Sequence, residues 1–295
     1  MSRSPLAGRK GASGEAVSVC LPAAPAGVFE KRAGRLRELA PGHAAGDFLT
    51  ALASLAEAQR LACRAVPIAI MGGGDLWPAV PLNIMGWRRG EAWREVLGMI
   101  LAEMGKVPLP EPAQVALARL AASAPLELEA FADALLGGVF GRMDVAAAPF
   151  VGAALQVYWT VLASGIPIGQ LGGPEQGCPV CGSPPVAGVV LGDDRLRYLT
   201  CSLCATEWNL SRVMCANCRS TKGISYFAIE GDPGAAKAEA CEQCRTYLKL
   251  FYLEKGPRTE PFADDAATLS LDLLMSEEGY SRGGVNLFLL SGADS

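Results

Sequence analysis

Four cysteine pairs constrain this chain more than any other feature. Cys178/Cys181, Cys201/Cys204, Cys215/Cys218 and Cys241/Cys244 all have C-x2-C spacing and take eight of the ten cysteines. A C-x2-C pair at the tip of a tight turn points both sulfurs the same way. Two such turns face to face surround one point with four thiolates, the donor set of tetrahedral zinc or iron. In chain order the pairs read C-x2-C-x19-C-x2-C and then C-x2-C-x22-C-x2-C, joined by only C-x10-C. Each half fits the two-knuckle metal pattern. The expectation is two sites in tandem, Cys178, Cys181, Cys201, Cys204 and then Cys215, Cys218, Cys241, Cys244. The alternatives are a disulfide framework, which a reducing cytosol opposes, or four unrelated pairs. Spacing leaves iron and zinc both open. Cys178-Pro179-Val180-Cys181-Gly182 has the rubredoxin form, because a glycine after the second cysteine takes positive φ readily. Ala205, Arg219 and Arg245 stand at that position in the other three pairs.

At 295 residues, 51% hydrophobic and 19% charged, the chain has room for two domains and a sizeable core. A net charge of −4 offers no general attraction to nucleic acid or anionic lipid. Residues 1–27 read as a disordered or loosely packed tail. Their one apolar patch is broken by Pro22 and Pro25, unlike a signal peptide. That favours a cytoplasmic protein, with Cys20 an incidental thiol in the tail.

Residues 28–170 read as all-helical. The charged run Val28–Ala40 stops at Pro41-Gly42. A second helix, capped by Asp47, runs to Arg64 with Phe48, Leu52, Leu55 and Ala62 on one stripe and Cys63 beside it as a core thiol. Residues 65–90 lack periodicity. Gly72-Gly73-Gly74 there suits a flexible loop, since no Lys-Ser/Thr follows to make a phosphate loop. Helical spacing returns over Glu91–Gly105, Pro112–Ser123 and Leu126–Leu136. Pro149–Ser164 is apolar nearly all round but shorter than a membrane span, which predicts a helix buried at the centre of a bundle.

Leu171-Gly172-Gly173-Pro174 reads as a linker. Beyond it, knuckle, hairpin and knuckle occur twice, in modules 171–214 and 215–258. The strands fall at Val186–Leu191, Arg195–Thr200, Glu207–Val213, Ser225–Glu230 and Tyr247–Leu253. Turns fall at Gly192-Asp193-Asp194 and Gly231–Gly234. Each module is too small to hold a core alone, so a bound metal would serve as a folding element. Residues 259–295 read as a last helix, Asp264–Glu278, capped by Asp264, and a tail whose Asn286–Leu290 docks on the domains. Asp264-Asp265 suits a cap and helix-dipole role better than acid–base work.

Catalytic groups are scarce. His43, the single histidine, reads as a solvated loop residue. No Gly-x-Ser-x-Gly elbow, His-Glu-x-x-His or phosphate loop occurs, and a closed four-cysteine site leaves no open coordination position. The reading is therefore a binding protein, not an enzyme, with no catalytic residue assigned.

Several stretches resemble the FdhE family of formate dehydrogenase accessory proteins. They are CPVCGSPPV from Cys178, RYLTCSLCATEW from Arg197, CANC from Cys215, KAEACEQCRTYLK from Lys237, DDAATLSLD from Asp264 and EEGYSRGGVNLF from Glu277. KRAGRLRELA at Lys31 and GDFLTALASLAEAQ at Gly46 carry the likeness upstream. The resemblance implies a multidomain fold, an all-α N-terminal domain followed by tandem rubredoxin-like or zinc-ribbon-like β modules. It implies iron at the cysteine motifs, two ions per chain, with zinc the alternative. It implies a cytoplasmic partner of the catalytic subunit of respiratory formate dehydrogenase before twin-arginine export. A rubredoxin-like one-electron carrier acting on that subunit is the nearest competing function. A nucleic-acid-binding zinc ribbon is the more distant one. Ten Lys/Arg against eight Asp/Glu lie between Cys178 and Arg258, and two thiolate-bound centres turn that balance negative.

Overall fold

In the computed structural model the described residues are 19–68, 78–139, 144–167, 171, 177–192, 196–231 and 234–289. The Gly72–Gly74 loop, the Asp193-Asp194 and Asp232-Pro233 turns, most of the 171–174 linker and Leu290 lie outside them.

Six helices make the N-terminal part: α1 (Pro25–Leu39), α2 (Gly46–Ala65), α3 (Ala92–Met104), α4 (Glu111–Ala122), α5 (Pro125–Leu136) and α6 (Ala148–Ser164). Prolines sit in the first turns of α1, α4, α5 and α6, where the missing N–H costs nothing. The long apolar run is the hub. Fourteen of the 17 residues of α6 are buried, and α1, α2, α3 and α5 all touch it. Trp159 is fully buried on α6, and its indole N–H donates to Leu82 O at 3.1 Å, as a buried Trp requires.

A single eight-stranded sheet follows, built from β1 (Val19–Cys20), β2 (Pro185–Leu191), β3 (Leu196–Cys201), β4 (Glu207–Asn209), β5 (Ile224–Phe227), β6 (Ala236–Cys241), β7 (Thr246–Tyr252) and β8 (Ser281–Arg282). Its order is β1-β4-β3-β2-β7-β6-β5, with β8 added on β7. The two knuckle-and-hairpin repeats are thus fused. β2 and β7 pair in parallel through Gly188↔Leu250, Val189↔Phe251 and Val190↔Tyr252, while each repeat is antiparallel within itself. Gly188 makes that seam possible: a Cβ there would come 2.6 Å from Leu250.

Several expectations are corrected. Residues 19–27 are not tail: β1 pairs with β4 (Val19↔Trp208, Cys20↔Glu207), and α1 starts at Pro25. Cys20 is therefore a strand residue, paired with Glu207 on a two-residue edge strand. Asp47 lies in the first turn of α2 without capping it through its side chain. β4 stops at Asn209, because the Arg197 guanidinium takes the carbonyls of Leu210, Ser211 and Met214 out of the ladder. The last helix is two helices, α7 (Pro261–Ala266) and α8 (Leu269–Glu277). Glu260 caps α7 by accepting from Ala263 N at 2.8 Å, and Asp264 accepts from Glu260 N at 2.8 Å in return. The break follows from Lys249, whose buried ammonium donates to the carbonyls of Asp265 and Thr268.

The main core ignores the boundary between helices and sheet. Phe29, Leu52, Trp93, Ile100 and Trp159 share it with Leu199, Leu203, Trp208, Leu248, Leu287 and Phe288. Gly152 on α6 lets the C-terminal segment approach, since a Cβ there would lie 2.9 Å from Leu287 Cβ.

Candidate metal centres

The eight paired cysteines come together as two groups of four, and within each group the sulfurs lie within 4.8 Å of one another. Each group could hold a metal ion. Both use the same crossed arrangement. Cys178 Sγ is 3.6 Å from Cys204 Sγ, and Cys181 Sγ is 3.4 Å from Cys201 Sγ. In the second group the corresponding distances are 3.7 Å for Cys215–Cys244 and 3.6 Å for Cys218–Cys241. A tetrahedron with metal–sulfur bonds of about 2.3 Å has edges of about 3.8 Å, so the spacing fits. It rules out disulfides, which bring sulfurs to about 2.05 Å, and none joins the described cysteines.

The knuckles are closed by repeated backbone bonds. Cys178 N donates to Ser183 O and Gly182 N to Cys178 O. Cys215 N donates to Ser220 O and Arg219 N to Cys215 O. Main-chain N–H groups aim at sulfur: Val180 at Cys178 Sγ (3.4 Å), Leu203 at Cys201 Sγ (3.3 Å) and Asn217 at Cys215 Sγ (3.4 Å). The residue after every second cysteine is left-handed: Gly182 at φ 79°, Ala205 at 56°, Arg219 at 65° and Arg245 at 53°. The rubredoxin form thus extends to all four turns, although three lack the glycine that signals it in sequence.

Two further residues escaped sequence reasoning. Thr206 Oγ1 lies 3.1 Å from Cys204 Sγ, and Thr246 Oγ1 lies 3.0 Å from Cys244 Sγ. The signal was present as a Cys-x-Thr repeated after the second and fourth knuckles. At the first centre the Cys204 thiol donates to the Thr206 hydroxyl, whereas at the second either atom can donate, and a bond from the Thr246 hydroxyl favours negative charge on Cys244.

Four thiols this close do not ionise together unaided. Burial, reinforced by neighbouring sulfurs, pushes Cys178 and Cys201 well above the usual thiol range. At Cys181 burial is outweighed by hydrogen bonds from Cys178, Cys201, Cys204 and Ser183, and the thiol is pulled well down. In the second group burial pushes Cys215 up to about 12. Cys244 is brought down to about 6, where hydrogen bonds led by Thr246 and Asn217 outweigh burial. A cation at the centre of such a group favours ionisation of every ligand.

The other candidate residues lie outside these centres. Cys63 packs half-buried against the main core, and burial raises it to about 11, an inert thiol. His43 is not a solvated loop residue. Its Nδ1 accepts from Ala45 N at 3.0 Å, which leaves Nε2 to donate to Ala267 O at 2.9 Å, tying the α1–α2 turn to the end of α7. Asp264 pairs with Arg35 at 2.6 Å, and Asp265 is buried with Lys249, Arg282 and Asn286, so both carboxylates are structural. Of the strand aromatics, Trp208, Tyr247 and Phe251 are core, while Tyr226 is exposed. Among the described residues no helix is long and apolar enough to cross a membrane.

Comparison with known proteins agrees along the whole described chain. Family profiles described as "FdhE, N-terminal", "FdhE, central domain" and "FdhE, C-terminal domain" match residues 18–173, 177–212 and 213–289. A "Protein FdhE homolog" of Serratia proteamaculans is 40% identical over 276 residues, covering 90% of this chain and 89% of that protein. A "Protein FdhE" of Salmonella paratyphi A is 39% identical over 279 residues, with the same coverage. The crystal structure of the FdhE protein from Pseudomonas aeruginosa superposes with a TM-score of 0.84 at 33% identity, covering 94% of this chain and all of that one. With profiles, identity and fold all in agreement, the chain belongs to the FdhE family.

Proposed function

We propose that this protein is a cytoplasmic assembly factor for respiratory formate dehydrogenase. It binds the catalytic subunit of that enzyme and does not itself turn over a substrate. Cys178, Cys181, Cys201 and Cys204 hold one metal ion, and Cys215, Cys218, Cys241 and Cys244 hold a second, with iron the preferred ion. The observation that carries this reading is the pair of closed, crossed four-sulfur groups in an FdhE chain. A closed tetrathiolate has no position for substrate, and among the described residues no nucleophile–base couple lies beside either group. The bound ions brace the sheet region, and that braced region presents a docking surface. The test is anaerobic purification of tagged chain from cells making formate dehydrogenase. Co-purification of the catalytic subunit, with two iron per chain and thiolate charge-transfer absorption, is expected. A chain that never retains that subunit overturns the assembly role, and two zinc per chain overturns iron.

One observation favours a second reading, a one-electron carrier acting on the same subunit. All four turns adopt the rubredoxin backbone, and the second centre reaches the surface at Cys218. A reversible one-electron wave in potentiometric titration of the iron-loaded chain supports that reading. Its absence leaves the ions structural.

A further inference from the structure

The two centres are repeats of one design in opposite surroundings. In the first, the residues between the paired cysteines are Pro179, Val180, Ser202 and Leu203, and all four are buried. The equivalent residues of the second are Ala216, Asn217, Glu242 and Gln243, of which the last three are exposed and Ala216 is half-buried. All four sulfur residues of the first centre are buried inside the main core, beside α6. In the second, Cys215 and Cys241 are buried but lie outside the described hydrophobic clusters, while Cys218 is exposed and Cys244 half-exposed.

The helical part holds the first centre shut. Leu82 N and Ile84 N donate to Val180 O and Cys181 O at 2.8 and 3.0 Å, and Gln156 Nε2 donates to Ser202 O at 2.9 Å. A ligand can reach that centre only after the helices lift from two knuckles, a sub-global opening. The third knuckle is closed by local bonds, Cys215 N to Ser220 O and Arg219 N to Cys215 O, so it opens by a local fluctuation.

Accepting the eight cysteines as metal ligands, we propose that the second centre is an exchange site, through which a thiophilic transition-metal ion enters and leaves the folded protein. The first centre gives up its ion only when the helical cover lifts, and so far more slowly. In exchange, each Sγ that leaves the metal is replaced by a donor atom of an incoming small thiol or chelator. No electron moves, and the freed thiolate takes up a proton from water.

The experiment uses the full metal-loaded chain, challenged with excess 4-(2-pyridylazo)resorcinol under anaerobic conditions. Brief iodoacetamide pulses and peptide mass spectrometry read which cysteines have been freed. Two phases of one ion each are expected, separated by at least roughly tenfold in rate, since one opening is local and the other sub-global. Cys215, Cys218, Cys241 and Cys244 become alkylated in the fast phase, while Cys178, Cys181, Cys201 and Cys204 stay protected. Gln156→Ala, which loosens the helical cover, accelerates the slow phase and leaves the fast phase unchanged. Release of both ions in one phase, or alkylation of the Cys178 group first or at an equal rate, overturns the inference while the ligand assignment stands. A chain that binds no metal overturns the assignment itself, and the exchange site with it.

Discussion

A residue other than glycine in the left-handed region costs about 1–2 kcal/mol, and here three such residues hold one structural position. Ala205, Arg219 and Arg245 each follow the second cysteine of a knuckle. The position is imposed by the turn, so its strain is a test of the turn. Ala205→Gly relieves strain and loses only glycine's entropy, so a stability gain of up to about 1 kcal/mol is expected in denaturant midpoints at unchanged slope. Gly182→Ala loses about 1–2 kcal/mol through backbone alone, since its Cβ would meet nothing closer than 3.8 Å. Arg245→Gly behaves differently from Ala205→Gly. The Arg245 guanidinium stacks 4.0 Å from the Tyr280 ring and donates to Glu278 O and Gly279 O. Losing those ties to the C-terminal segment outweighs the relief. Asp265 carries a pH prediction at the same scale. Burial alone would raise its carboxyl, but Lys249 and Arg282 outweigh burial and hold it below the usual carboxylate range. Its stabilisation is complete above the unfolded value of about 3.9 and fades only as pH falls through the lower folded value. Asp265→Asn should therefore cost about 3–5 kcal/mol from neutral pH down to about pH 4, the loss of one partner from a buried pair. The difference from the parent protein should shrink below that in urea midpoints measured across pH. A difference that shrinks between pH 7 and 5 would mean the carboxyl is not held down by its cations.

Among elements, α6 organises the rest through one polar side chain on an apolar surface. Gln156 Oε1 accepts from Arg32 Nη1 and Gln59 Nε2, both at 3.0 Å, while its amide nitrogen reaches Ser202 O. Arg32 in turn lies over the Phe262 ring at 3.8 Å and pairs with Glu260. One glutamine thus joins α1, α2, a knuckle and the start of α7. Gln156→Leu keeps the volume but strands buried donors, at about 1–3 kcal/mol. Urea midpoints and hydrogen exchange at Ser202–Cys204 should both report it. An unchanged midpoint would show that water or a neighbour satisfies Arg32 instead. This element also shows what a sequence can disclose. The period of α6, its length and its stop at Gly165 are local properties, and so is the spacing of the eight cysteines; all were readable. The role of Gln156 was not, because its three partners come from positions 32, 59 and 202. The strand β6 stayed hidden for another reason. Ala236–Cys241 alternates small and charged residues, a true strand period, but alanine has weak strand preference and masks it. The split between α7 and α8 depends on Lys249 reaching carbonyls from another strand, which no local pattern encodes.

At the scale of the molecule, three family segments do not make three folding units. The main core draws on residues from Val19 to Ile166, from Cys178 to Leu210 and from Leu248 to Phe288. Trp159 finds its acceptor in the 78–90 loop, and that loop is itself fixed by the first knuckle through Leu82 and Ile84. The sheet begins with a strand from before α1, and β8 near the other end pairs beside β2 on β7. Cutting between the helices and the knuckles would therefore bare one face of α6 and orphan Gln156, Leu82 N and Ile84 N together. A fragment ending at residue 173 is expected to keep helical circular dichroism but lose a cooperative thermal transition and bind a hydrophobic dye, as loosely packed states do. The full metal-loaded chain should unfold in one main transition, with the second centre alone able to open early. If the fragment melts as sharply as the whole protein, the shared core is a contact between finished domains, and the first centre is not locked by the helices above it.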